Sequence, residues 1–130
     1  MVKFGGADRV RISKNSHAVY KLLCDREKIF PQYKDLFQFA AAIGIRLKKR
    51  EPFKREVELG RITGFDTDDI FETLLKELHP EADGVKRLKL LEEYAEAGIR
   101  ILKERYDRDK KIDIEEIIRE LESHKDVLSV

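Results

Sequence analysis

The sequence predicts a mainly α fold, a single-domain bundle of about five helices with one or two short β-strands. Two observations carry this. Apolar residues recur every three or four positions over five stretches, about 16–26, 32–45, 67–78, 82–107 and 113–123. Helix-breaking residues, Pro31, Gly44, Pro80 and Gly84, fall at or near the junctions. With 130 residues and no repeat, low-complexity run or linker, the expectation is one helical domain over 1–130. A chain of this size buries a core without metal or disulfide help.

Residues 1–7 read as a loose lead-in. Arg9-Val10-Arg11-Ile12-Ser13 alternates charged and β-branched side chains, the period-2 pattern of a half-exposed strand. Ser13 or Asn15 then caps a helix over about 16–26, with Val19, Leu22 and Leu23 inward. Pro31 separates it from the next, because the residue before proline is pushed out of the helical region. Over 32–45, Leu36, Phe37, Ala40 and Ile43 keep helical spacing while Phe39, Ala41 and Ala42 fill the gaps, so this helix should be the buried centre, with Gly44 as its C-terminal cap. Residues 46–55 form a basic connector, and 56–65, with Gly60 and Gly64, are irregular or a short strand. Asp66 or Thr67 caps a helix over 67–78 carrying Ile70, Phe71, Leu74, Leu75 and Leu78. The longest helix, 82–107, places Val85, Leu88, Leu91, Ala95, Ile99, Leu102 and Tyr106 close to one stripe. Asp113 opens the last, over 113–123, with Ile114, Ile117, Ile118 and Leu121 inward.

The formal net charge of +1 conceals a segregation. Residues 1–55 carry 14 Lys and Arg against 5 Asp and Glu, and residues 56–130 carry 13 against 21. A basic half beside an acidic half is a statement about partners, since one attracts polyanion and the other repels it. The longest apolar run, Phe39–Ile43, is far short of the ~20 residues of a bilayer span, and the opening residues lack an apolar signal-type stretch. A lone cysteine, Cys24, has no internal partner, which fits a cytoplasmic setting. The Lys/Glu/Arg-rich composition without Trp is one that hyperthermophiles favour.

Catalytic chemistry finds little support. His17, His79 and His124 stand far apart, without zinc-ligand spacing, so neither a metal nor another cofactor is expected. Asp66, Asp68 and Asp69 fall in a first helical turn, where they offset the macrodipole, and lack EF-hand spacing. No glycine-rich phosphate loop occurs, and no Ser or Thr has a suitably placed His. Glu92, Glu93 and Glu96 read as a solvated helix face, Glu96 pairing with Arg100 and the others with Lys89. An enzyme reading would need Tyr33, Asp35 and a histidine to converge in a pocket.

The connector differs. Arg46, Lys48, Lys49, Arg50, Lys54 and Arg55 place six cations in ten residues with Glu51 the one acid, and Arg9 and Arg11 could join them from the first strand. Such a cluster neutralises phosphates and releases counterions, giving salt-dependent and largely sequence-blind affinity for nucleic acid. The same cations could instead pair with the acidic half of their own chain. A third arrangement is a ribbon-helix-helix dimer, with Arg9, Arg11 and Ser13 on one face of a strand shared between copies. It sits poorly with so apolar a second helix and three more helices after it.

Arg9-Val-Arg-Ile-Ser-Lys14, Tyr33-Lys-Asp-Leu-Phe-Gln-Phe-Ala-Ala-Ala-Ile-Gly-Ile45 and Lys49-Arg-Glu-Pro-Phe53 together resemble the DNA phosphorothioation (Dnd) system-associated protein 4 family. The similarity covers residues 9–53, and Tyr33, Asp35, Gly44, Arg50 and Pro52 are where the chain meets the family pattern. The resemblance implies a non-enzymatic accessory protein of a prokaryotic DNA-modification or restriction (defence) system, and it carries over no catalytic residue. With the basic connector, the expected partners are DNA and other proteins of such a complex. The competing reading is a protein-interaction or self-associating module, basic end to acidic end, and a homodimer is compatible with either.

Overall fold

The computed structural model describes residues 8–129, so the expected lead-in lies outside the described residues, as do the side chains of Thr67 and residues 124–129. Strand β1 (Arg9–Ile12) leads into helix α1 (Lys14–Tyr20), which passes into a π-helical segment, Lys21–Arg26. Helix α2 (Tyr33–Leu47), strand β2 (Val57–Arg61), and helices α3 (Ile70–Leu78), α4 (Gly84–Asp109) and α5 (Ile114–Ser129) follow. The mainly α class, five α-helices with a two-stranded antiparallel sheet, is as the periodicity predicts.

Local chemistry explains the starts. The Ser13 hydroxyl accepts from Ser16 N at 3.0 Å and opens α1. Asp35 closes a capping box on Gln32 N at 3.0 Å and opens α2. Asp66 accepts from Phe71 N at 2.7 Å and Glu72 N at 3.0 Å ahead of α3, and Asp83 accepts from Lys86 N at 2.8 Å at the head of α4. In the sheet, Arg9 pairs with Arg61 and Ile12 with Val57, and a bulge shifts the register between Val10 and Arg11. Gly60, opposite Val10, has φ 154°, a conformation that side chains disfavour.

Gly44 does not end α2. The helix continues to Leu47, and Lys48 takes the left-handed cap position at φ 57°. Gly44 instead lets α2 cross α4 with backbones in contact, because a Cβ there would overlap the Tyr94 carbonyl. Gly98 does the reciprocal service, its missing Cβ making room for the Ala40 carbonyl. Around this crossing lie Leu36, Phe37, Ala40, Ile43, Leu91, Ala95, Ile99 and Leu102, all nearly or wholly excluded from solvent. The centre of the domain is thus the α2–α4 pair, not α2 alone, and Ala42 is exposed. Further expectations are corrected at the start of α4 and on α3 and α5. Val85 is 59% exposed and Ile118 42%, so neither joins the core. Of the apolar residues on α3, Phe71 and Leu75 turn inward, leaving Ile70, Leu74 and Leu78 on the surface.

A backbone carbonyl cannot move aside as a side chain can, so filling this crossing separates the helices. Gly98→Ala should destabilise by about 3 kcal/mol or more, at the upper end of overpacking costs. Gly64→Ala, whose Cβ would meet nothing within 4 Å, should stay within about 0.5 kcal/mol of the parent. Urea unfolding of the two variants side by side checks this.

Candidate nucleic-acid interface

The basic connector, residues 48–56, runs as a strap over one face of α4. The Glu51 N–H donates to the Glu93 carbonyl at 3.0 Å, so the strap is tied to the helix by its backbone as well as its charges. Arg50 Nη1 reaches Glu93 at 3.1 Å, and its guanidinium lies 5.9 Å from the centre of the Tyr94 ring. Arg100 on α4 pairs with Glu51 at 3.2 Å. Arg55 closes the strap with two bonds to Glu92, Nε to Oε1 at 2.6 Å and Nη2 to Oε2 at 3.0 Å.

The Glu92, Glu93 and Glu96 cluster of α4 is therefore not a solvated face. Glu92 and Glu96 are 2% and 3% exposed. Besides Arg55, Glu92 accepts from the Arg11 N–H at 2.8 Å. Glu96 accepts from the Ser16 hydroxyl at 2.7 Å and from the Ser13 hydroxyl at 3.1 Å, with Arg100 Nε 3.4 Å away. The expected Glu96–Arg100 pair is present, but Glu92 and Glu93 turn to the strap and not to Lys89. The signal was available in the sequence: Glu92 stands four residues after Leu88 and three before Ala95, inside the apolar stripe. Burial pushes the Glu92 carboxyl above its ordinary range, against the opposing pull of Arg55 and the Arg11 N–H.

The eight cations expected to face nucleic acid divide into two sets. Arg46 donates to the Leu121 carbonyl at 3.3 Å and ties α5 to α2. Arg9 and Arg11 both pair with Glu58, at 3.0 and 3.2 Å. With Arg50 and Arg55 these five arginines serve the fold. Lys48, Lys49 and Lys54 are exposed, and their side chains make no ion pair or hydrogen bond among the described residues. Arg9, Arg11 and Arg55 also converge with Lys89 around a recess of about 120 Å³, alongside Asp8, Val85 and Leu88. Lys89 is the cation that sequence reasoning misses, because helical spacing pairs it with the glutamates of its own helix. A larger recess of about 470 Å³ is lined by Asn15, Ser16, Glu96, Arg100 and Lys103 among others.

β1 is committed within the chain: it pairs with β2 and spends its Arg11 N–H on Glu92. This removes the ribbon-helix-helix arrangement. Tyr33, Asp35 and a histidine do not converge in one pocket among the described residues. Burial, together with the bond it donates to Asp25 at 2.7 Å, pushes the Tyr33 phenol up to about 12, and Asp35 serves its own helix cap. His17 stands edge-on to Tyr33, ring centres 6.3 Å apart, while His79 bonds the Tyr94 hydroxyl at 2.8 Å. The side chain of His124 is outside the described residues. No group of three His, Cys, Asp or Glu that could hold a metal occurs among the described residues. No helix there is long and apolar enough to cross a membrane.

Three of the five positions shared with the resembled family are architectural: Asp35 caps α2, Gly44 makes the helix crossing and Arg50 fastens the strap. The family model of DNA sulphur modification system-associated protein 4 matches residues 9–128, well beyond the 9–53 legible from motifs. The chain belongs to this family. Membership associates it with DNA sulphur modification, and the match takes in α3, α4 and α5 as well as the strap. No curated protein and no solved structure matches the chain.

Because burial dominates at Glu92, its folded-state pKa lies above that of the unfolded chain. Its contribution is therefore fully present below the ordinary glutamate pKa and is lost as pH rises through the raised folded value. The stability difference between the parent and Glu92→Gln should shift in the parent's favour as pH falls from 7 toward 4.5. Urea midpoints at several pH values check the sign; the opposite slope would mean that Arg55 outweighs burial.

Proposed function

We propose that this member of the DNA sulphur modification system-associated protein 4 family is a non-enzymatic accessory protein that touches the DNA backbone through its strap. The observation that supports this most is the division of labour among its cations. The arginines are engaged by Glu58, Glu92, Glu93 and the Leu121 carbonyl, while Lys48, Lys49 and Lys54 project from the same segment with no ion pair among the described residues. A strap tied down by its arginines presents those lysines at low conformational cost, and lysine acts on a phosphate as a point charge without demanding planar geometry. Such an interaction is with backbone, so it positions the protein on DNA and carries no base readout. Arg9 and Arg11, with Lys89 beside them, flank it as a weaker extension, because both arginines already pair with Glu58.

The test is fluorescence anisotropy with a short labelled duplex between 50 and 200 mM salt. The parent should bind with an affinity that falls steeply with salt. Lys48→Ala/Lys49→Ala/Lys54→Ala should weaken binding and flatten the log–log salt slope by about 2.7, roughly 0.9 for each phosphate that is no longer neutralised. Arg50 is left intact in this variant because its removal would release Glu93 and loosen the strap. An unchanged slope in the triple variant, or no binding at 50 mM salt, removes the reading.

A further inference from the structure

Helix α3 carries two ridges with opposite fates. Phe71 and Leu75 enter the core, whereas Ile70, Leu74 and Leu78, spaced four apart, are 60%, 37% and 44% exposed. The helix is firmly seated. Glu72 meets Arg87 of α4 at 2.5 Å with both side chains almost fully buried, Arg87 also donates to the Ala82 carbonyl at 2.6 Å, and Asp66 holds the first turn by two backbone N–H groups. The outer ridge is therefore a fixed surface, an aliphatic line of roughly 12 Å at 1.5 Å per residue.

Its surroundings are acidic. Between Asp66 and Asp83 the chain has seven carboxylates and one cation, Lys76. Asp66 and Glu72 are buried and Asp83 caps α4, which leaves Asp68, Asp69, Glu77 and Glu81 exposed around the ridge. Such a rim repels polyanion and selects a cationic partner, while the aliphatic line selects apolar anchors at helical spacing. A second copy of this chain is ill matched: its own α3 ridge carries the same acidic rim, and Val85, exposed beside Lys86 and Lys89, is a single aliphatic with no exposed apolar neighbour at helical spacing on that face. Among the described side chains of α5 the exposed aliphatic is Ile118, which has Glu115 and Glu122 beside it, and the cationic strap has no helical spacing of apolar residues.

We propose that the outer ridge of α3 is a docking surface for a basic amphipathic helix of a partner protein, with aliphatic residues three or four apart and Lys or Arg on their flanks. Helix ridges pack into one another's grooves, and a ridge of three aliphatics spans the two turns such a partner would seat. This surface is separate from the strap, and the two are built for opposite charges.

The probe is a labelled 14-residue Leu/Lys amphipathic helix, titrated against the full chain by fluorescence anisotropy beside a Leu/Glu peptide of the same apolar pattern. The Leu/Lys peptide should bind and the Leu/Glu peptide should not. Leu74→Ser/Leu78→Ser should weaken binding at least tenfold, and so should Glu77→Lys/Glu81→Lys. Ile118→Ser and the strap variant Lys48→Ala/Lys49→Ala/Lys54→Ala should leave it unchanged, which separates this surface from the DNA-facing strap. Equal binding of both peptides, or indifference to both α3 variants, overturns the proposal. Sedimentation showing a dimer of the parent that Leu74→Ser/Leu78→Ser dissolves would also overturn it and give the face to a second copy.

Discussion

Two glycines fifty-odd residues apart hold the domain at its tightest point. Where α2 crosses α4, Gly44 faces the Tyr94 carbonyl and Gly98 faces the Ala40 carbonyl, with no room for a Cβ on either helix. That spacing sets the depth at which α2 lies on α4. Everything at the C-terminal end of α2 follows from it, including the height at which the strap leaves Lys48 and the reach from Arg50 to Glu93. A wider crossing would put those pairs out of register. The tolerance is small because close-packed interiors respond to a change of even one methyl group.

The charged groups on α4 are a second layer of specification. Glu92 receives the strap through Arg55 and the first strand through the Arg11 N–H, so one carboxylate fixes two segments. Glu96 does the same for Ser13 and Ser16 at the head of α1. Burying a carboxylate costs several kcal/mol unless its lone pairs are occupied, and here they are occupied from several directions. The arrangement accordingly contributes more to uniqueness than to net stability: a strap or strand seated one residue out of place would leave a buried charge uncompensated. On α3 the Glu72–Arg87 pair and the Asp66 cap play the corresponding part.

The helices were legible because apolar spacing is local information. The stretch 82–107 became Gly84–Asp109 and 113–123 became Ile114–Ser129, with boundaries off by one or two residues except at the far end of α5. What escaped was whatever depends on distant partners. Gly44 looked like a cap because glycine serves both caps and close approaches, and only the position of Gly98 decides between them. The place of Glu92 in the apolar stripe is local information, but what neutralises Glu92 and Glu96 is not, because their donors, in β1, α1 and the strap, are remote in sequence. Ile70, Leu74 and Leu78 looked like core because periodicity counts apolar residues without knowing which ridge has a neighbour. The candidate site shared this fate: the cation cluster was visible, but the separation of structural arginines from unengaged lysines needed the acidic partners in place.

The reach of β1 bears on how the chain forms during synthesis. Arg11 is 81 positions from Glu92, and Ser13 is 83 from Glu96. At about 5–20 residues per second, roughly 4–16 s separate emergence of the strand from emergence of the carboxylates that receive it. Through that interval Val10 and Ile12, both buried at the end, lie on a short strand with its final neighbours still missing. Arg9 and Arg11 alternate with them, and charges at such positions discourage an unpaired strand from joining another chain. The two arginines thus guard the nascent segment before Glu58 arrives to take them.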